Sequence, residues 1–378
     1  MKGISLYIHI PFCVSKCYYC DFSSFVNKND KIDIYIDSLI KELSLYKDEL
    51  SHYYIKTIFI GGGTPSSIDP KYIYRILEFI NKNYDTSRLN EVTIETNPGT
   101  LDKEKIKIYK AGGINRVSMG AQTLDDNLLK IIGRTHKVED LYKSLQLLRN
   151  ANINNINIDL MFGLPSQSIE DVMDSLKKVV DLKMEHISYY GLILEEGTYL
   201  NKLFKEGKVI LPSEDEERLM YHKATEYLIQ NGYNHYEISN YSLPKYECKH
   251  NLVYWDVLPY LGLGLSSHSN LNNKRFWNIS DMNLYINNLN NNKFPIKGEE
   301  IISMETEISE FCILGLRKIN GINKVDFKKR FNIDIEELYK DIIQKHEKNE
   351  LIINNSNSIQ LTKRGLDLSN LVEVDFLK

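Results

Sequence analysis

Short apolar runs alternate with longer amphipathic segments from the N-terminus to about residue 195. The runs LYIHI (6–10), TIFIGG (57–62), VTIET (92–96), RVSMG (116–120), NINIDLMF (155–162) and HISYYGLI (186–193) have the length and β-branched content of strands. Between them, IDIYIDSLIKELSLYKDEL, KYIYRILEFINKNY, KEKIKIYKAG, VEDLYKSLQLLRNA and EDVMDSLKKVVDL space their apolar residues by three or four, the stripe of an amphipathic helix. Six such units predict an α/β fold: a parallel sheet with right-handed crossovers and helices on its outer face. A complete eightfold barrel needs two more units, and the alternation falters after residue 195. The expected core is therefore a partial or open (β/α)6 barrel.

The remaining chain changes character. SEDEERLMYHKATEYLIQNG, from Ser213, reads as a helix with a serine cap, an acidic first turn and Gly232 as its stop. HYEISNYS reads as one further strand, and YLGLGLSSHS (260–269) as a loop. Beyond residue 303, TEISEFCILGLRKI and DIEELYKDIIQKHEKN predict two helices, followed by a hairpin in LIINNSNSIQLT. Helices with a small β-wing suggest a C-terminal α+β, winged-helix-like module. It carries no dense Lys/Arg stripe, which favours a structural or partner-docking role over DNA binding. The expected division is a core at 1–200, a barrel-completing segment at 201–300 and the module at 301–378.

Composition narrows the function classes. A formal net charge of −4 over 378 residues gives no general pull toward nucleic acid. No apolar run approaches the roughly 20 residues that span a bilayer. Met1-Lys2-Gly3 followed by LYIHIPF lacks the features of a signal peptide, so a cytoplasmic location is expected. Five cysteines, an odd number, fit a disulfide scaffold poorly, and three of them lie within eight residues.

Those three form CVSKCYYC, a C-x3-C-x2-C loop made by Cys13, Cys17 and Cys20. Three thiolates can hold three irons of a cubane and leave the fourth iron without a protein ligand. S-adenosylmethionine (SAM) can chelate that iron through its amino and carboxylate groups. A zinc site wants four ligands, and the only distant partners are Cys248, His250 and Cys312, none suitably paired.

The spacing, following LYIHIPF, resembles the radical SAM superfamily, whose members share a partial (β/α)6 barrel. YIHIPFCVSKCYYCDF is similar to the branch that holds oxygen-independent coproporphyrinogen III dehydrogenase and its heme-chaperone relatives. The resemblance covers most of the chain and implies a 4Fe–4S cluster bound by the three cysteines. For SAM it implies the glycine segment Gly62, Gly63 and Thr64, the aromatic positions Tyr7 and Tyr19, and the polar contacts Glu95, Gln122, Arg134 and Asp159. On their own, GGG marks only a turn and a strand-end Glu is usually solvated. Asp159, however, sits in an apolar strand, where an unpaired carboxylate is costly.

Two departures separate the branches. The dehydrogenase carries a cysteine two residues after the third ligand, where this chain has Phe22, and it has a longer N-terminal stretch. Both departures match the heme-chaperone pattern, as does HNLVYW (250–255). By that resemblance His250 would ligate heme iron, with Tyr254 and Trp255 against the macrocycle. Read without it, the aromatics are core and His250 is a satisfied hydrogen-bonder. Cys248 lacks the following proline of a Cys-Pro heme motif, and Cys312 reads as core. The implied function is a heme chaperone that holds heme as cargo for acceptors such as membrane respiratory enzymes, and the family suggests a homodimer. The alternatives are coproporphyrinogen III decarboxylation or another radical SAM reaction.

Overall fold

The computed structural model describes residues 2–377. Six strands follow the expected alternation: β1 (Lys2–Ile10), β2 (Tyr53–Gly62), β3 (Glu91–Thr96), β4 (Arg116–Gln122), β5 (Asn155–Phe162) and β6 (His186–Gly191). They lie side by side in sequence order, all parallel. Each crossover helix buries its apolar stripe against the sheet. The helix Ile169–Asp181 shows why these residues form it. Ser168 accepts from the Asp171 amide at 3.1 Å while Asp171 accepts from the Ser168 amide at 2.8 Å, so the helix starts with two otherwise orphaned donors satisfied. Val172, Leu176 and Val179 then fall on one buried face.

The main sheet has twelve strands. Beyond β6 lies an antiparallel hairpin, β7 (Asn234–Glu237) and β8 (Asn240–Ser242), where a single strand was expected. On the other side β9 (Tyr260–Leu263) pairs parallel with β1, and the antiparallel strands β10 (His268–Leu271), β11 (Lys274–Asn278) and β12 (Ile296–Ile301) continue outward. The expected loop at 260–269 is thus corrected: it contains a seventh parallel strand and the start of its neighbour. A Cβ on Gly262 would stand 2.1 Å from the His268 carbonyl oxygen, so the glycine that reads as a loop residue is there to admit a close backbone contact.

Alternate residues of the barrel strands face opposite ways. Ile4, Leu6, Ile8, Ile58, Ile60, Val117, Ile156 and Ile158 join the main hydrophobic core. The intervening Ser5, Thr57, Thr93, Ser118 and Asn157 are buried and polar. Parallel strands covered on both faces usually read as continuous apolar runs; here the barrel interior is a polar column.

The C-terminal residues build a separate core around Phe311, Phe327, Phe331, Ile343 and Phe376. The wing is a three-stranded antiparallel sheet: Ile322–Asn323, Ile352–Asn354 and Ser358–Leu361. The structure adds a helix, Lys324–Phe331, between the two expected ones. Its hydrophilic sequence conceals Phe327 and Phe331. Among the described residues no helix is long and apolar enough to cross a membrane.

Candidate functional site

Strands β1 to β6 end on the same side of the sheet, and the segments leaving them enclose a cavity of about 370 Å3. Cys13, Cys17, Cys20, Tyr19, Gly62, Gly63, Thr64, Glu95, Gln122, Arg134 and Asp159 all line it. Residues between positions 13 and 159 converge on one side of the sheet: Gly62, Gly63, Thr64, Glu95 and Gln122 at or next to strand ends, Asp159 from within β5, and Arg134 from the turn after the helix Asp126–Ile131.

The cysteine loop is held from two sides. The Tyr18 amide donates to the Ile132 carbonyl at 3.1 Å, and the Leu200 amide donates to the Tyr18 carbonyl at 2.7 Å. The Tyr18 ring packs edge-on to Tyr199 and against Gly133, where a Cβ would stand 2.5 Å from the ring. Cys13 Sγ lies 3.6 Å from Thr64 Oγ1. Burial pushes the Cys17 and Cys20 thiols up, and neighbouring cysteines add to the rise. Among the described residues no three His, Cys, Asp or Glu side chains are grouped to hold a single metal ion. Three cysteines on one loop lining the cavity are a donor set that suits a cubane with one iron left open.

The cavity wall opposite the cysteines suits a cationic, polar ligand. Glu95 accepts from the Gly62 amide at 3.0 Å, and burial followed by the charge of Asp159 pushes its carboxyl up to about 8. Burial also raises Asp159, against hydrogen bonds from Asn157 and Ser188. Two buried carboxyls beside one cavity favour a cation between them. Gly62 has φ +112°, and a Cβ there would meet the His9 ring at 2.5 Å; on Gly63 it would meet the Phe12 carbonyl oxygen at 2.7 Å. Glycine is therefore required at both positions because the backbone packs directly against His9 and Phe12. Arg134 donates to Asn97 Oδ1 at 3.0 Å and to the Tyr19 hydroxyl at 2.9 Å, while its Nε is buried without a hydrogen-bond partner. Gln122 adopts φ +67° where the β4–β5 register shifts, and accepts from the Tyr190 hydroxyl at 3.0 Å. Left-handed backbone on a non-glycine residue is strain of the kind found at ligand sites. An amino-acid headgroup with a sulfonium fits this set of groups.

Sequence reasoning missed Asn97, Ser118 and Tyr190, which also line the cavity. Each sits on or directly after one of the predicted strands, the signal that would have found them.

Tyr7, His250, Tyr254 and Trp255 are not among the cavity's lining residues. Tyr7 stacks on Phe59 with ring centres 6.3 Å apart and hydrogen-bonds His9 at 3.0 Å. HNLVYW forms most of the helix Lys249–Trp255, in which His250 and Val253 are buried, at the other end of the strands. Glu91, the first residue of β3, accepts the amides of Lys249 and His250 at 3.0 Å each. His250 is fully buried: Nδ1 meets Thr57 Oγ1 at 2.7 Å and Nε2 meets the Tyr254 hydroxyl at 2.9 Å. Burial and the Arg116 charge lower its pKa to about 3. As folded here the imidazole is neutral, with both nitrogens engaged. Trp255 carries the Arg317 guanidinium 4.5 Å above its ring. Burial pushes the Cys248 thiol up to about 12, which makes it a poor source of thiolate. His268 stacks on Trp277, and Cys312 is buried in the C-terminal core.

Residues 7–179 match the radical SAM superfamily, and residues 302–368 match the HemN C-terminal domain. The heme chaperone HemW of Lactococcus lactis is 39% identical over 376 residues, covering 100% of this chain and 98% of that protein. The heme chaperone HemW of Bacillus subtilis is 36% identical, with 99% of both chains covered. Among solved structures, coproporphyrinogen III oxidase (HemN) from Escherichia coli superposes with a TM-score of 0.86 over 99% of this chain and 90% of that one, at 22% identity. That likeness concerns the fold. Membership of the superfamily implies a 4Fe–4S cluster and SAM, for which the cavity supplies suitable groups. The chain belongs to the HemW family of heme chaperones within the radical SAM superfamily.

Proposed function

We propose that this chain binds a 4Fe–4S cluster, SAM and heme, and passes the heme to acceptor proteins in or at the cytoplasm, membrane respiratory enzymes among them. The observation that carries this reading is similarity to heme chaperones along the whole chain, at 39% identity. Phe22 in place of a further cysteine adds to it. Cys13, Cys17 and Cys20 hold the cluster. Gly62, Gly63, Thr64, Tyr19, Glu95, Gln122, Arg134 and Asp159 hold SAM, with Tyr7 behind them. When bound, the cluster supplies an electron and SAM a cleavable carbon–sulfur bond; the residues named here bind, orient and desolvate.

For heme, His250, Tyr254 and Trp255 remain the proposed contacts. This requires His250 to give up Thr57 or Tyr254, so heme uptake is coupled to movement of the HNLVYW helix. The chain works as a core at 1–200, a completing segment at 201–300 and a docking module at 301–378, and as a homodimer.

The test is a titration of the anaerobically reconstituted chain with heme, followed by mixing with a heme-free acceptor. A Soret band that moves to the acceptor is the expected result. Conversion of coproporphyrinogen III to vinyl products in the presence of SAM would overturn the reading in favour of an oxidative decarboxylase. A Soret spectrum unchanged by His250→Ala would remove that residue from the heme site.

A further inference from the structure

A chain of hydrogen bonds leaves the cavity and reaches the start of the HNLVYW helix. Asp159 accepts from Asn157 Nδ2 at 2.7 Å, and the same amide donates to Ser118 Oγ at 2.7 Å. With the amide nitrogen facing those two groups, Asn157 Oδ1 meets His186 Nδ1 at 2.6 Å as an acceptor, so that nitrogen carries the proton. Burial and the Arg116 charge hold the fully buried His186 well below the ordinary histidine range, so the ring is neutral. Its Nε2 then accepts from the Tyr236 hydroxyl at 2.7 Å. The Tyr236 oxygen in turn accepts the amide of Cys248, the residue that caps the helix, at 3.2 Å.

With Asn157 oriented in this way the bonds from Cys248 to Asp159 all donate in one direction, and Ser188 Oγ donates to Asn157 Oδ1 as a side branch at 3.2 Å. The chain of bonds crosses the sheet interior, from β5 to β6 to β7, where apolar side chains would avoid the cost of burying polar groups. One end is a cavity carboxylate and the other is the anchor of the proposed heme helix.

We infer that Asn157, His186 and Tyr236 are positioning residues that tie occupancy of the SAM cavity to the placement of the HNLVYW helix. A ligand cation at Asp159 changes how strongly that carboxylate holds Asn157, and each later donor adjusts in turn. Such coupling is reciprocal, so SAM and heme would each alter the other's affinity. The inference rests on the SAM and heme reading above.

The chain holds two tryptophans, Trp255 within the helix and Trp277 elsewhere, so Trp277→Phe leaves one reporter. In that background the reconstituted protein is titrated anaerobically with SAM. Bound SAM is measured by equilibrium dialysis and Trp255 emission is followed alongside. SAM is expected to shift the emission. Tyr236→Phe and His186→Phe should still bind SAM but lower the shift about fivefold or more. Tyr241→Phe deletes another buried hydroxyl, which meets Thr225 outside the chain of bonds, and should leave the shift intact. Should the relay variants misfold, hydrogen exchange on the unaltered chain replaces them: the amides of Cys248, Lys249 and His250 should exchange more slowly with SAM bound. Bound SAM with silent Trp255 emission and unchanged exchange overturns the relay alone, as does a full shift in Tyr236→Phe. No SAM bound by the parent overturns the functional reading, and the relay with it.

Discussion

At the C-terminal ends of the barrel strands, Glu95, Asp159 and Arg134 face an open cavity; at the N-terminal ends, Glu91, His250 and Thr57 face one another. Both regions are buried and rich in polar groups. The first leaves Arg134 Nε unpaired, crowds two carboxyls and holds Gln122 in left-handed backbone. In the second, His250 uses both ring nitrogens and Glu91 receives two helix amides, while Arg116 Nε and Trp255 Nε1 are buried without a hydrogen-bond partner. Unpaired buried groups thus occur in both regions; what sets the first apart is an open cavity, two crowded carboxyls and left-handed backbone at Gln122, the marks of a place built to receive a ligand.

The comparison can be broken in several ways. The largest effect is expected at the cysteine loop. Replacing any of Cys13, Cys17 or Cys20 by Ser should reduce bound iron from about four per chain to near zero, measured after anaerobic reconstitution, with the apoprotein still folded. Next comes the second region. His250→Ala leaves Thr57 and Tyr254 without their buried partner and should destabilise the chain by about 1–3 kcal/mol, read from urea denaturation. Gln122→Ala at the cavity removes one acceptor from Tyr190 and should cost less.

The pH dependence sharpens the contrast. The Glu95 carboxyl is raised to about 8 in the fold, so the folded chain holds a proton that the unfolded chain has released above its ordinary carboxylate pKa. Stability from that proton is complete below the unfolded pKa and is lost as pH rises toward 8. Glu95→Gln has no such loss. Without ligand, its stability relative to the parent should therefore improve between pH 5 and pH 8, measured by denaturant midpoints. A constant difference would show that Glu95 is not strained. The smallest effect is expected at Phe22, which is 70% exposed at the cavity mouth: Phe22→Ser should change stability by less than about 0.5 kcal/mol.

Much of the barrel was legible because strand and helix periods are local. NINIDLMF matches β5 residue for residue, and the Ser213 cap is where the acidic turn placed it. Part of the cavity was legible for the same reason, since Gly62, Gly63, Thr64 and Gln122 stand at or just past strand ends, whereas Asp159 lies inside β5 and Arg134 beyond the next helix. Less legible was the partnership of distant groups. HNLVYW reads either as a set of heme contacts or as core aromatics with a satisfied histidine, and the partners that pair His250, Glu91 and Thr57, lie 159 and 193 positions away. The polar column inside the barrel was present as alternation in NINID but was masked by the apolar reading of the strands. Gly262 reads as a loop residue because glycine signals freedom locally, while here it signals a neighbour's closeness; Gly264, at φ +94° just past the strand, does use that freedom.

The most direct test of the account is electron paramagnetic resonance of the reduced, anaerobically reconstituted chain, recorded with and without SAM. A 4Fe–4S signal whose g-values shift on adding SAM is the predicted result, because SAM takes the iron that the three cysteines leave open. A cluster that fails to assemble, or one whose spectrum SAM does not alter, would contradict it.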